Sequence, residues 1–187
     1  MSKWSLALFA CSICLLAWKA AEEPAARPTV PPPAVVQEQA ITIPVAGIHR
    51  QQLVDTFSAA RVGHRHDALD IMAQRGTPVV AAVDGTVRKL FTSRDGGLTI
   101  YEFDDAGAIC YYYAHLDRYA DVREGQRVRR GDLIGYVGST GNAPRNSPHL
   151  HFAMFVLPST KEWWKGDAIN PYPILMARGI TSDSSGR

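Results

Sequence analysis

The stretch PHLHFAM, residues 148–154, sets two histidines on either side of one leucine, in a run that otherwise reads as a buried strand. Side chains alternate along a strand, so the His149 and His151 imidazoles share one face and Leu150 and Phe152 share the other. Far upstream, HDALD places His66 and Asp70 four residues apart. Imidazole nitrogens and carboxylate oxygens are the ligands of hydrolytic metal sites, which use three protein groups and keep one position open for water. His66, Asp70 and His151 supply two nitrogens and one oxygen. One turn can hold the first two. His151 lies 81 positions after Asp70 (151 minus 70), so only tertiary folding can bring it in. His149 would then project into the open side, and His115, at the end of YYYAHL, would reach in from across the site. Imidazoles that titrate near neutral pH suit proton transfer and oxyanion stabilisation. His64, two residues before His66, is a rival ligand. Each histidine taken singly also reads as an ordinary structural residue.

The elements that must position these groups are short β runs cut by turns. PVVAAV is expected to pair with TVRKLF across Asp84-Gly85, a two-residue hairpin signal. LTIYEF and AICYYYAHL are joined across residues 104–107. LIGYVGS follows a turn at residues 130–132, and HLHFAMFVL closes the series. The polar loop TGNAPRNSP, residues 140–148, is long enough to shape a site. Helical periodicity is weak, and HRQQLVDTFSAA, residues 49–60, is expected to hold a helical turn or two. The pattern predicts one mostly β domain built on an antiparallel sheet. VREGQRVRRGDLIGYVG, residues 122–138, has the look of a biotinyl or lipoyl carrier, but no turn displays the lysine a carrier needs, so it reads as scaffold.

These residues resemble the LytM/lysostaphin-type zinc metallopeptidases, the M23 peptidase family. The resemblance covers about residues 46–175. It rests on HDALDIMAQRGTPVVAAVDGTV, YYYAHLDRYADVREGQRVRRGDLIGYVGSTGNA, PHLHFAM and AINPYPIL, in that order. It implies zinc held by His66, Asp70 and His151, with His115 and His149 as the catalytic pair. It implies a LytM-like, barrel-sandwich-type sheet with a groove. The implied activity is endopeptidase cleavage of peptide crosslinks or stem peptides in bacterial peptidoglycan. The alternative is a non-catalytic envelope module that activates another wall hydrolase. One departure stands out. Glycine is common two residues after the first ligand, where this chain has Ala68. A methyl there is harmless at negative φ and costs about 1 kcal/mol or more at positive φ.

Composition agrees with a small envelope enzyme. Of 187 residues, 46% are hydrophobic, enough for a core, and the net charge of +2 comes without a basic run or basic helix face, so no nucleic acid partner is expected. Residues 1–20 read as an export segment. Lys3 precedes an apolar run over residues 4–18, too short for a full span, which needs about 20 residues. Cleavage, retention of residues 4–18 as a membrane tether and lipidation at Cys11 all remain open, and each places the domain in the periplasm or cell envelope. Residues 21–42 are a Pro/Ala-rich spacer. Residues 43–176 form the expected metallopeptidase domain and 177–187 a loose tail. Cys110 is the one cysteine in the domain, which excludes an internal disulfide there. Tyr111, Tyr112, Tyr113, Trp163 and Trp164 divide between core packing and a groove for peptide or glycan. Trp163-Trp164 sits in a polar insertion suited to substrate, partner or membrane contact.

Overall fold

A computed structural model describes residues 41–61 and 63–177. The export segment and most of the spacer and tail lie outside the described residues. Within them no helix is long and apolar enough to cross a membrane.

A small hairpin of β1 (Ala60–Arg61) and β2 (His64–Arg65) precedes one large antiparallel sheet. Its strands are β3 (Leu69–Met72), β4 (Pro78–Val80), β5 (Gly85–Ser93), β6 (Gly97–Asp104), β7 (Ile109–Tyr119), β8 (Arg127–Val128), β9 (Leu133–Val137), β10 (His149–Val156) and β11 (Asp167–Ile169). A short helix, α1 (Pro171–Met176), follows, capped by the Asn170 side chain accepting from the Tyr172 N–H. The expected mostly β, antiparallel architecture is therefore what the chain adopts.

The centre of the sheet is β7. One edge pairs with β6. The other edge is shared: Ile109–Ala114 pair with β10, and Leu116–Tyr119 pair with β9. The sheet forks between Ala114 and Leu116, and His115 sits in the fork. Beyond β10 the sheet continues into β3 along His149–Phe152 and into β11 along Met154–Val156.

The expected hairpin between PVVAAV and TVRKLF does not form. β4 pairs with β9 instead. Val79, Ala81, Ala82 and Val83 are all buried, and the segment is taken up on two sides. Thr42 and Ala46 donate to Ala82 and Pro78 carbonyls on one side, and Gly131 N–H and Asp132 C=O bond to Ala81 on the other. An apolar run with both edges occupied has no edge left for β5. One further expectation is met and one is corrected. Residues 49–60 hold one helical turn, of the 3-10 type, at Arg50–Gln52, within the turn or two expected. HLHFAMFVL is not the last strand, because β11 follows it.

Alternation divides the main sheet into two faces. Leu150, Phe152, Met154, Tyr111, Tyr113 and Ile100 turn inward with Val79, Ile134 and Val137 in the main core. The opposite face carries the His149/His151 pair. Cys110 is buried and free, as expected, in a smaller cluster on this second face.

The core face also buries Glu102. Its Oε2 accepts from the Tyr113 hydroxyl, which in turn accepts from the Ala82 N–H at 2.9 Å, while Oε1 has no hydrogen-bond partner. Burial pushes the carboxyl up to about 8 against the opposing Tyr113 hydrogen bond. An unfolded chain ionises Glu102 near its ordinary 4.5. The folded state therefore gains most from this group at low pH and loses that contribution as pH rises towards 8. Thermal melts between pH 5 and 8 should show this decline, and Glu102→Gln should flatten it; an equal slope in the variant would contradict the assignment.

Candidate metal centre and groove

The pairing of β3 with β10 sets Asp70 directly opposite His151. His66 enters from the turn after β2. Its backbone is tied by N–H bonds from His66 to Ala59 C=O and from Asp67 to Phe57 C=O, both 3.0 Å. Asp67 takes a positive φ of 51°, so the turn's strained position falls one residue before Ala68. Ala68 is fully buried outside that region, and its methyl adds no backbone strain.

Three atoms converge as a result. His66 Nε2 lies 2.9 Å from Asp70 Oδ1 and 3.1 Å from His151 Nδ1, and His151 Nδ1 lies 3.3 Å from Asp70 Oδ1. Yet Asp70 Oδ1 is buried and accepts no hydrogen bond. The neighbours approach it without donor alignment. Two nitrogens and one oxygen within 4.8 Å of one another, around an orphaned carboxylate oxygen, fit a divalent metal with two imidazole ligands and one carboxylate.

The surroundings put the groups in the state that a metal needs. The His66 Nδ1–H donates to Thr56 C=O at 2.9 Å, which leaves the Nε2 lone pair facing Asp70 and His151. Thr56 also accepts from the Asp70 N–H through Oγ1 at 2.9 Å, so one residue holds both ligands. Arg61 Nη2 donates to Asp70 Oδ2 at 2.8 Å and leaves Oδ1 free for the centre. Burial opposes ionisation of Asp70, but any proton that the His151 or His66 imidazole turns towards it prevails and holds its carboxyl well below the usual range. Burial likewise pushes His151 down, against the pull of Asp70, which favours the neutral, ligating imidazole.

His149 and His115 flank this group. The ring of His115 is 5.0 Å from that of His149 and 5.5 Å from that of His151. Both donate Nδ1–H to a backbone carbonyl, His115 to Thr140 at 2.8 Å and His149 to Ser147 at 2.9 Å. Both therefore present an Nε2 lone pair. Alternation along β7 would send His115 to the core with Tyr111 and Tyr113. Its φ of 62° turns it instead into the groove beside Ala114 and Tyr112. Such strain in a non-glycine residue is held by its surroundings and concentrates at functional sites. Here the fork supplies the hold: the His115 N–H bonds to Gly96 C=O at 2.8 Å. The loop bearing Thr140 is pressed against the β5–β6 turn so closely that a Cβ on Gly97 (φ 64°) would fall 2.2 Å from Thr140 Oγ1. Burial pushes the His115 imidazole down to about 4, so it is neutral at physiological pH.

The groove has a volume of about 950 Å³ and is edged by Arg61, Arg94, Met72, Tyr112 and the 142–147 loop. All five residues singled out from sequence, His66, Asp70, His115, His149 and His151, line it together. The side chain of the rival His64 lies outside the described residues. Thr56, Arg61 and the carbonyls of Thr140 and Ser147 were not foreseen. Backbone acceptors leave no mark in sequence, and nothing about Arg61 distinguishes it from other surface arginines.

Two imidazoles and one carboxylate converging in a groove on the open face of an antiparallel sheet make a candidate site of the metallohydrolase type, and comparison with known proteins narrows it. The model of peptidase family M23 matches residues 64–171, more than half of the chain, and the chain belongs to that family. It is 32% identical over 128 residues to the cell division protein DipM of Caulobacter vibrioides, covering 67% of this chain and 20% of that one. It is 34% identical over 124 residues to the glycyl-glycine endopeptidase ALE-1 of Staphylococcus capitis, covering 66% of this chain and 32% of that one. With the L-Ala–D-Glu endopeptidase of Bacillus subtilis it shares 36% over 118 residues, covering 60% and 35%. The match thus spans about a third or less of these relatives' length. The catalytic domain of lysostaphin from Staphylococcus simulans superposes with a TM-score of 0.55 at 26% identity, covering 77% of this chain and 97% of that one. A zinc-containing peptidase from Vibrio cholerae gives 0.56 at 26% identity, covering 75% and 41%.

Arg61→Ala should weaken zinc binding about tenfold, the order seen when a partner behind a metal ligand is lost. Competition against a chromophoric chelator measures it; unchanged affinity would remove Arg61 from the account.

Proposed function

We propose that this chain is an exported zinc endopeptidase that cleaves peptide crosslinks or stem peptides of bacterial peptidoglycan. The reading is carried by the convergence of His66 Nε2, Asp70 Oδ1 and His151 Nδ1 around an oxygen with no hydrogen-bond partner. Zinc held by these three residues supplies a Lewis acid that polarises the scissile carbonyl and makes water nucleophilic at neutral pH. The protein's own part is proton handling and orientation. His115 and His149 each offer an Nε2 lone pair, so either can take the proton of the attacking water and, once protonated, deliver it to the leaving nitrogen or hold the oxyanion. Arg61 and Arg94 at the groove edge suit a peptide that carries carboxylates. The relatives named as a glycyl-glycine and an L-Ala–D-Glu endopeptidase support a peptide substrate of this class. The apolar segment over residues 4–18 supports export, either cleaved or as a tether to the membrane. A non-catalytic envelope module would have no use for five oriented groups.

The test is mass spectrometry of fragments released from purified peptidoglycan by the zinc-loaded chain, beside His149→Ala. New peptide ends are expected with the unmutated chain, and their masses identify the bond. The variant should keep its zinc and lose activity by about 10²–10⁴-fold. No release across several wall types by zinc-replete protein would overturn the reading in favour of a module that activates a partner hydrolase.

A further inference from the structure

The sheet face that bears His149 and His151 does not end at the groove. Tyr112 pairs across the strands with Ala153 of β10 and with Tyr101 of β6, and so lies on the same face as His151. From the ring of His151 a run of aromatic contacts leads away from the metal centre. The ring-to-ring steps are 6.0 Å to Tyr112, 4.7 Å to Tyr101, 4.7 Å to Trp163 and 5.2 Å to Trp164. Phe91 packs on Trp163 at 5.4 Å. Beneath them Phe103, Cys110 and Leu157 form a buried base. Trp163 is used up in this packing, but Trp164 stands nearly perpendicular to it and is 58% exposed, and Phe91 is 40% exposed. An apolar ring this open to solvent, set against a packed aromatic base, marks a contact surface.

We infer that Trp164 and Phe91 form a platform that stacks the sugar rings of the peptidoglycan glycan strand while the attached peptide lies in the metal groove. The inference rests on the peptidoglycan reading above. The platform is joined to the groove by the ring run that starts at Tyr112, a groove residue, and passes through Tyr101 and Trp163. Substrate geometry demands such continuity, because the cleaved peptide is covalently attached to the glycan. Five extended residues reach about 17 Å, commensurate with the run of ring contacts. The chemistry also fits. Pyranose rings present faces of C–H groups that meet the negative face of an indole, and their hydroxyls and acetamides seek polar neighbours. The insertion that carries Trp163 and Trp164 also carries Thr160 and Glu162, whose side chains bond to each other at 3.0 Å. Its charges are balanced: Lys165 pairs with Glu162 at 2.9 Å, and Lys161 and Asp167 offset one another. A surface built to enter an anionic bilayer would carry a cationic excess instead.

The test uses the full, zinc-loaded chain with Trp164→Ala and Trp164→Phe. Trp164 is exposed, so its truncation leaves the core intact. Trp164→Ala should bind peptide-free glycan strands about tenfold more weakly, the order of one lost stacking contact. It should raise KM for intact peptidoglycan by a similar factor with kcat unchanged, and leave cleavage of a glycan-free crosslinked peptide untouched. Trp164→Phe should recover most of the binding. Equal losses on intact and glycan-free substrates would overturn the inference, as would unaltered glycan binding. So would reduced capture by phosphatidylglycerol vesicles with glycan binding unchanged, which would make the patch a membrane contact. Glycan binding needs no hydrolysis, so the two readings fail separately: binding without cleavage would strike the peptidase reading, and cleavage without glycan binding would strike this one.

Discussion

The site depends above all on the register between β3 and β10. Asp70 faces His151 across that pairing, and His149 lies two residues along on the same face. Strand side chains alternate, so a slip of one residue would send Asp70 and both histidines to opposite faces and put Ile71 or Leu150 in their place. The register is held by what lies behind it. Leu69, Ile71, Leu150 and Phe152 are fully or almost fully buried on the core face, and none could face the groove without emptying the core. The apolar core thus fixes the candidate metal site from the reverse side of the same strands, and removal of apolar surface from water is the force that keeps His66, Asp70 and His151 converged.

A second constraint comes from the fork in the sheet. β7 must change partners from β10 to β9, and the change falls at His115. The positive φ there breaks alternation once and delivers an imidazole to the groove that a regular strand would have buried. Rigid acceptors then finish the arrangement. Carbonyls of Thr56, Thr140 and Ser147 each take an Nδ1 proton, so three of the four groove histidines face the centre with Nε2, whereas His151 uses Nδ1. The candidate ligands are oriented by the protein alone, an arrangement that would lower the ordering cost of binding a metal.

Much of this was legible in the sequence, for reasons that can be named. The period-two placement of His149 and His151 held because β10 is a regular strand. His66 and Asp70 were readable as a local pair because one turn joins them. Hairpins signalled by short polar turns, such as residues 104–107, formed as expected. PVVAAV was misassigned because periodicity does not say which neighbour an apolar run with two free edges will choose. The position of His115 at the end of YYYAHL suggests a group that reaches in from across the site, and the family resemblance implies its role. Simple alternation points it inward, and the bulge that redirects it arises from two long-range pairings with no local signature. Arg61 and Thr56 were invisible for the same reason, since their significance comes from reaching Asp70 and His66 through the tertiary fold.

The chemistry proposed for this groove requires one location for the metal. Anomalous diffraction at the zinc edge from crystals of the zinc-loaded chain would find it directly. A single strong peak is expected in the groove, bonded to His66 Nε2, Asp70 Oδ1 and His151 Nδ1 at about 2.0–2.2 Å. His115 and His149 should stand outside the bonding shell. A peak coordinated by His149 or His64 in place of one of the three, or no peak in the groove at full zinc loading, would contradict that chemistry.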